Sequence, residues 1–147
     1  MDVQEDGDIL ENNKFYTLKG YALLDDNAMT ACMEDYLEMI YRIHLEGEVV
    51  RIGKLADNLN VKPSSATKIV GSLKKQGMVS SEKYGYIKLT DEGEKLGKYL
   101  IFRHDTLHKF LCLVNRSKNE LVQVEKVEHF FNEETVRNIE KLLDKLT

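Results

Sequence analysis

The chain has 147 residues, of which 42% are hydrophobic and 31% charged, a composition that fits one large or two small soluble globular domains. No apolar run approaches transmembrane length and the acidic N-terminus lacks a signal-peptide pattern; Cys32 and Cys112 form neither a disulfide framework nor a CxxC knuckle, which points to reduced thiols in the cytoplasm. The net charge of −4 is unevenly laid out: residues 1–50 carry 3 basic and 12 acidic side chains, 51–98 carry 10 and 5, and 99–147 carry 8 and 8. An acidic total argues against nucleic acid, but the basic middle third is a local footprint of the kind phosphate binding needs.

Residues 1–28 form an N-terminal arm without an assigned role. Met1–Asn13 is acidic and expected to be mobile, whereas Phe15, Tyr16, Leu18, Tyr21, Leu23 and Leu24 could pack on the domain behind them. Thr30 suits the N-cap of a helix running to about Leu45, with Gly47 just past its end. Met33, Leu37, Ile40 and His44 make its apolar stripe, widened by Tyr36, Tyr41 and Ile43. Asp35 and Glu38 project together from another face, as surface acids near a helix N-terminus or as a pair of ligands.

Ile52, Leu55, Ala56 and Leu59 predict a short amphipathic helix, and Asn60-Val61-Lys62 turns the chain. Pro63 then opens a second helix to about Gln76 that buries Ala66, Ile69, Val70 and Leu73 and stops at Gly77. Two short helices joined by a tight turn are a helix-turn-helix or, more plainly, an αα-hairpin with a polar face. On the first reading Lys62, Pro63, Ser64, Ser65, Thr67 and Lys68 meet DNA, because small donors and a cation can approach base edges and phosphates closely. Met78–Ser81, Glu82–Gly85 and Tyr86–Leu89 predict strand, turn and strand, a β-wing with Lys83 and Lys88 facing out. Helix, helix-turn-helix and hairpin in this order predict a winged helix, to which Arg51 and Lys83 add phosphate contacts.

Thr90 caps a predicted helix to about Val114, with Leu96, Leu100, Phe102, Leu107, Phe110 and Leu111 as apolar positions and His104 and His108 one turn apart. At about 37 Å it is too long for a winged helix alone and leads into a dimerisation region. After a loop at Asn115–Lys118 comes V-E-K-V-E-H-F-F (Val124–Phe131). On a helix Glu125, Glu128 and His129 share one face, while Val124, Val127, Phe130 and Phe131 hold the other against a core. That face is a solvated charged stripe or, as two carboxylates and an imidazole, a chelate for a divalent metal. Asn132 caps a last amphipathic helix whose Val136, Ile139, Leu142, Leu143 and Leu146 can pair with a partner chain. The fold class is therefore mostly α, an N-terminal winged helix-turn-helix (29–98) followed by an all-helical dimerisation domain (99–147), which binds metal if the chelate reading of that face holds.

The runs M-E-D-Y-L-E-M-I-Y (Met33–Tyr41), V-K-P-S-S-A-T-K (Val61–Lys68), R-H (Arg103-His104) and E-K-V-E-H (Glu125–His129) resemble the diphtheria-toxin-repressor family, and most of all its manganese transport regulator branch. The resemblance covers about Ala31–Thr147. It implies a homodimeric, metal-activated transcriptional repressor that binds operator DNA, with manganese-uptake genes as its targets. It also implies binuclear Mn²⁺ ligands at Asp35, Glu38, His104, Glu125, Glu128 and His129, two ions per subunit. Sulfur ligands, expected in the iron-responsive branch at Asp35 and Glu125, are replaced here by hard carboxylates that suit Mn²⁺.

Three features depart from the family pattern. The His104–Glu125 spacing is one residue short, His108 stands where an acid is usual, and the chain ends at Thr147 without the SH3-like third domain of larger members. The competing readings are a winged-helix regulator that senses Fe²⁺ or an organic ligand, and a di-metal enzyme. The enzyme gives the basic winged helix no task, and no nucleophile–base constellation is evident. Neither a membrane nor a small-molecule substrate is expected as a partner, and Cys32 is expected to be a small packing residue.

Overall fold

The computed structural model describes residues 29–147; the arm expected at 1–28 lies outside the described residues. Helix α1 (Ala31–Leu45) starts where Thr30 Oγ1 accepts the Met33 N–H at 3.1 Å. Its buried side chains, Met33, Tyr36, Leu37, Ile40, Tyr41 and Ile43, follow the helical period and make the centre of the first core. His44, expected on that stripe, is exposed: the wide aromatic and aliphatic band already fills the buried arc and leaves position 44 at its edge. Cys32, expected to pack, is exposed as well.

Strand β1 (Val50–Arg51) leads directly into α2 (Ile52–Leu59), and α3 (Pro63–Lys75) follows the turn. Asn60 makes that turn in the left-handed conformation, φ 55°, which a short polar side chain tolerates. Leu55, Ala56, Ala66, Val70 and Leu73 close α2 and α3 onto α1. The wing is β2 (Val79–Ser81), a 3₁₀ turn (Lys83–Gly85) and β3 (Tyr86–Leu89). β3 is central in an antiparallel sheet of order β1-β3-β2, with Val50 opposite Ile87 and Val79 opposite Leu89. β1 was not expected; two residues are too short to show a period of two.

Thr90 Oγ1 caps α4 (Asp91–Asn115) by accepting the Gly93 N–H at 3.0 Å. α4 packs on α1, α5 (Leu121–Val127) and α6 (Glu133–Leu146), so it belongs to both halves of the chain. Two glycines allow its close approach. A Cβ on Gly93 would fall 1.9 Å from the Met78 carbonyl oxygen, and one on Gly97 would fall 2.7 Å from Tyr41 Cγ. That contact brings the middle of α4 against the N-terminal half of α1, where the candidate ligands lie.

The run Val124–Phe131, expected as one helix, is two elements. α5 ends at Val127, and Glu128–Phe130 continues as a 3₁₀ turn before Phe131 becomes extended and Asn132 caps α6. With the next N-cap one residue beyond Phe131, the chain tightens to i→i+3 bonding, which changes the angular step between side chains. Glu128 turns inward, 1% exposed, and Phe130, expected in the core, turns outward at 64%.

Candidate metal centre and nucleic-acid interface

α1 presents Glu34, Asp35 and Glu38 toward α4 and the 3₁₀ turn, and α4 answers with Arg103 and His104 on the buried face that also carries Leu100 and Leu107. Two groups of side chains come together there. Asp35, Glu128 and His129 form one and Glu38, His104 and Glu128 the other; within each, one ligand atom per residue lies within 4.8 Å of the others. Glu128 is common to both. His104 Nδ1 lies 2.9 Å from Glu128 Oε2 and 3.4 Å from Glu125 Oε1. His129 Nε2 lies 3.1 Å from Asp35 Oδ1 and 3.9 Å from Glu128 Oε1. The structure thus brings five of the six expected ligands into two triads, while Glu125, about half exposed, stands beside His104 at the rim.

The electrostatics are those of crowded acids. Burial raises the Glu38 carboxyl, against the pull of Arg42, whose Nε donates to Glu38 Oε2 at 3.0 Å. Partial burial, and then the neighbouring Glu128 charge, raises Glu125. Hydrogen bonding to Glu128 raises His104, and hydrogen bonds to Asp35 and Glu34 lift His129 to about 10. Both imidazoles are thus shifted toward the protonated form by the carboxylates around them. The donor set fits a divalent cation: carboxylates and imidazoles are hard to borderline ligands, and each triad combines both. Neither cysteine enters a triad among the described residues. The Cys32 thiol, although exposed, is raised by partial desolvation and by the Asp35 charge, which disfavours the thiolate a soft ion needs. His108 is occupied elsewhere: its Nε2 accepts the Glu120 N–H at 3.2 Å and lies 3.5 Å from Cys112 Sγ.

The candidate DNA-facing residues Arg51, Lys62, Pro63, Ser64, Ser65, Thr67, Lys68 and Lys83 are all exposed. Lys62, the N-cap of α3, makes no side-chain cap bond, so the first backbone N–H groups of the helix remain open to an anion. Thr67 Oγ1 donates to the Pro63 carbonyl at 3.0 Å, which leaves its methyl and oxygen lone pairs for recognition. Arg51 is aimed by Tyr86, donating to the phenol oxygen at 2.8 Å with its guanidinium 4.5 Å from the ring centroid. At the wing tip Tyr84 is 84% exposed, with φ 65°.

The family model for the iron dependent repressor N-terminal DNA binding domain matches residues 28–87, and that for the iron dependent repressor metal binding and dimerisation domain matches residues 90–147. The chain belongs to the iron dependent repressor family. Its members are DNA-binding, metal-responsive transcriptional regulators, and this chain is one of them rather than an enzyme. It is 37% identical over 115 residues, 78% of this chain and 83% of the relative, to the HTH-type transcriptional regulator MntR of Lysinibacillus sphaericus (strain C3-41). Identity to the MntR of Geobacillus kaustophilus (strain HTA426) is also 37%, over 78% of this chain and 82% of that one.

Among solved structures, the zinc-bound ScaR superposes with a TM-score of 0.65 at 26% identity, and the manganese regulator SloR with 0.68 at 24%; each match covers 76% of this chain. The chain spans about half the length of these solved relatives, 53% in both cases. The family's winged helix and helical second domain are the architecture described above, and no helix among the described residues is long and apolar enough to cross a membrane.

Two residues of the centre escape a reading of the sequence alone, Glu34 and Arg103. The available signal is the position of Arg103, midway between Leu100 and Leu107 on the buried face of α4. A cation there requires a buried anion.

Proposed function

We propose that the chain is a Mn²⁺-activated repressor of manganese-uptake genes, binding operator DNA in the cytoplasm as a homodimer when a binuclear site of Asp35, Glu38, His104, Glu125, Glu128 and His129 is filled. The observation that carries this reading is the pair of triads sharing Glu128, built across the two halves of the chain. The relatives named MntR and the oxygen-rich donor set favour manganese over iron. Two bound divalent ions would supply +4 against four carboxylates.

Asp35 and Glu38 belong to α1, which packs against α3; the remaining ligands belong to α4, α5 and the 3₁₀ turn. Repulsion among the carboxylates opposes the docking of α1 on α4, and its neutralisation favours it. In a dimer that docking sets the separation and tilt of the two α3 helices, which must meet successive major grooves about 34 Å apart. Metal and operator DNA must then each tighten the other's binding. Apolar side chains left exposed at the end of α4 and the start of α5, Leu113, Val114, Leu121 and Val122, and Leu142 and Leu146 on α6, support a second copy as the partner.

A mobility-shift assay on operator DNA tests the proposal. Binding is expected in Mn²⁺ and not in chelator, and equal affinity in both would reject it. Lys83→Ala is expected to weaken binding on any sequence and to flatten the salt slope by about 1, because it removes one phosphate contact. Thr67→Ala is expected to change the preference among operators; a uniform loss of affinity would remove Thr67 from base readout.

A further inference from the structure

Beside the first triad lies a second set of contacts that contributes no ligand. Glu34 Oε1 is 2.9 Å from His129 Nδ1 and 3.3 Å from Arg103 Nη2, while Glu34 Oε2 is 3.2 Å from Arg103 Nη1. Arg103 is 3% exposed and Glu34 15%, so the pair is a two-bond fork held away from water. Arg103 Nη2 is also 3.3 Å from His129 Nδ1. An arginine cannot accept a hydrogen bond, and a carboxylate so paired can only accept. The Arg103–His129 approach is therefore two donors converging on one oxygen, Glu34 Oε1. This places a proton on His129 Nδ1 and leaves Nε2, on the opposite edge of the ring, facing Asp35 and Glu128.

We propose that Glu34, locked by Arg103, is a positioning residue for the metal centre: it holds the Nδ1–H of His129 and so presents the Nε2 lone pair to the ion shared with Asp35 and Glu128. The inference rests on the binuclear reading above. A carboxylate behind a ligating imidazole fixes the ring's tautomer and orientation and raises its basicity, and losing such a partner lowers metal affinity by about 10–100-fold. Of the candidate ligands Glu34 reaches His129 alone, and among the described residues the second triad has no counterpart of Arg103 behind His104. Its removal therefore weakens one ion and spares the other. The same pair spans α1 and α4, so the DNA-binding half contributes to the site a residue that touches no metal.

The experiment is a Mn²⁺ titration of the full chain by calorimetry, together with nitrogen NMR of histidine-labelled protein loaded with diamagnetic Zn²⁺. Wild type is expected to take up two ions, with His129 carrying its proton on Nδ1 and coordinating through Nε2. Glu34→Ala is expected to lose about 10–100-fold in affinity for one ion only and to lose the single Nδ1–H tautomer. Glu34→Gln, whose amide oxygen still accepts from Nδ1–H, is expected to recover most of both. A role confined to joining α1 and α4 predicts instead that Glu34→Ala weakens both ions alike, with no rescue by glutamine and an unchanged His129 pattern; that result overturns the proposal, as does wild-type affinity for both ions in Glu34→Ala. Wild type taking up a single ion rejects the binuclear reading, and the His129 nitrogens of Glu34→Ala then decide the role of Glu34 by themselves.

Discussion

Glu128→Gln is expected to abolish Mn²⁺-dependent operator binding, leaving the affinity in manganese at its chelator value. Glu128 is the one residue in both triads, and at 1% exposure its carboxylate has little water to share its charge. Each ion would lose a buried anionic partner, a change worth about 3–5 kcal/mol, or more than about 100-fold in affinity at each position. The substitution is a mild one for the fold. Glutamine has nearly the same volume, and its amide oxygen can still accept from His104 Nδ1, which lies 2.9 Å from Glu128 Oε2. The metal-free variant should therefore unfold at close to the wild-type denaturant midpoint. Glu125→Gln is the internal comparison: Glu125 is half exposed and outside both triads, so its loss should shift the manganese requirement without removing it. Calorimetric uptake of two Mn²⁺ by Glu128→Gln with undiminished affinity would reject the shared-ligand geometry. Equal effects at 125 and 128 would reject the ranking by burial.

The fold was legible because its signals are local. Thr30, Thr90 and Asn132 cap the helices they were expected to cap, and Gly47 and Gly77 follow helix ends with positive φ. The wing lies within a residue of its expected span. The site was legible only as residue types. Helical spacing predicted Glu125, Glu128 and His129 on one face, but the 3₁₀ turn at Glu128–Phe130 drives Glu128 into the interior and leaves Glu125 at the rim. Side-chain period alone does not reveal where a helix tightens, because that depends on where the next element must begin. Glu34 was invisible for a different reason. Next to Asp35, near a helix N-terminus, it reads as one more surface acid, and only the approach of α4, permitted by Gly93 and Gly97, supplies the buried Arg103 that gives it a task.

Metal affinity is expected to rise steeply with pH, about 100-fold between pH 6 and pH 8 for the ion held by His129. In the metal-free protein, hydrogen bonds to Asp35 and Glu34 lift His129 to about 10 from an ordinary 6.5, so across this whole range its ring is a cation. Coordination needs the Nε2 lone pair, so uptake of the ion must expel one proton, and each pH unit below about 10 then changes the apparent affinity about tenfold. His104 is raised in the same direction by Glu128, which adds to the proton release accompanying the second ion. The metal-free fold should respond with the opposite sign. A histidine whose pKa is raised on folding contributes stability that is fully present below about 6.5 and is lost as pH rises toward about 10, so the denaturant midpoint without metal should fall across that window. Manganese and alkaline pH therefore act on the same ring: the first takes the place of the proton, and the second removes it with nothing in return. Titrations in two buffers of different ionisation enthalpy count the released protons directly. Mn²⁺ affinity that is flat between pH 6 and pH 8, with no proton release, would remove His129 from the ligand set.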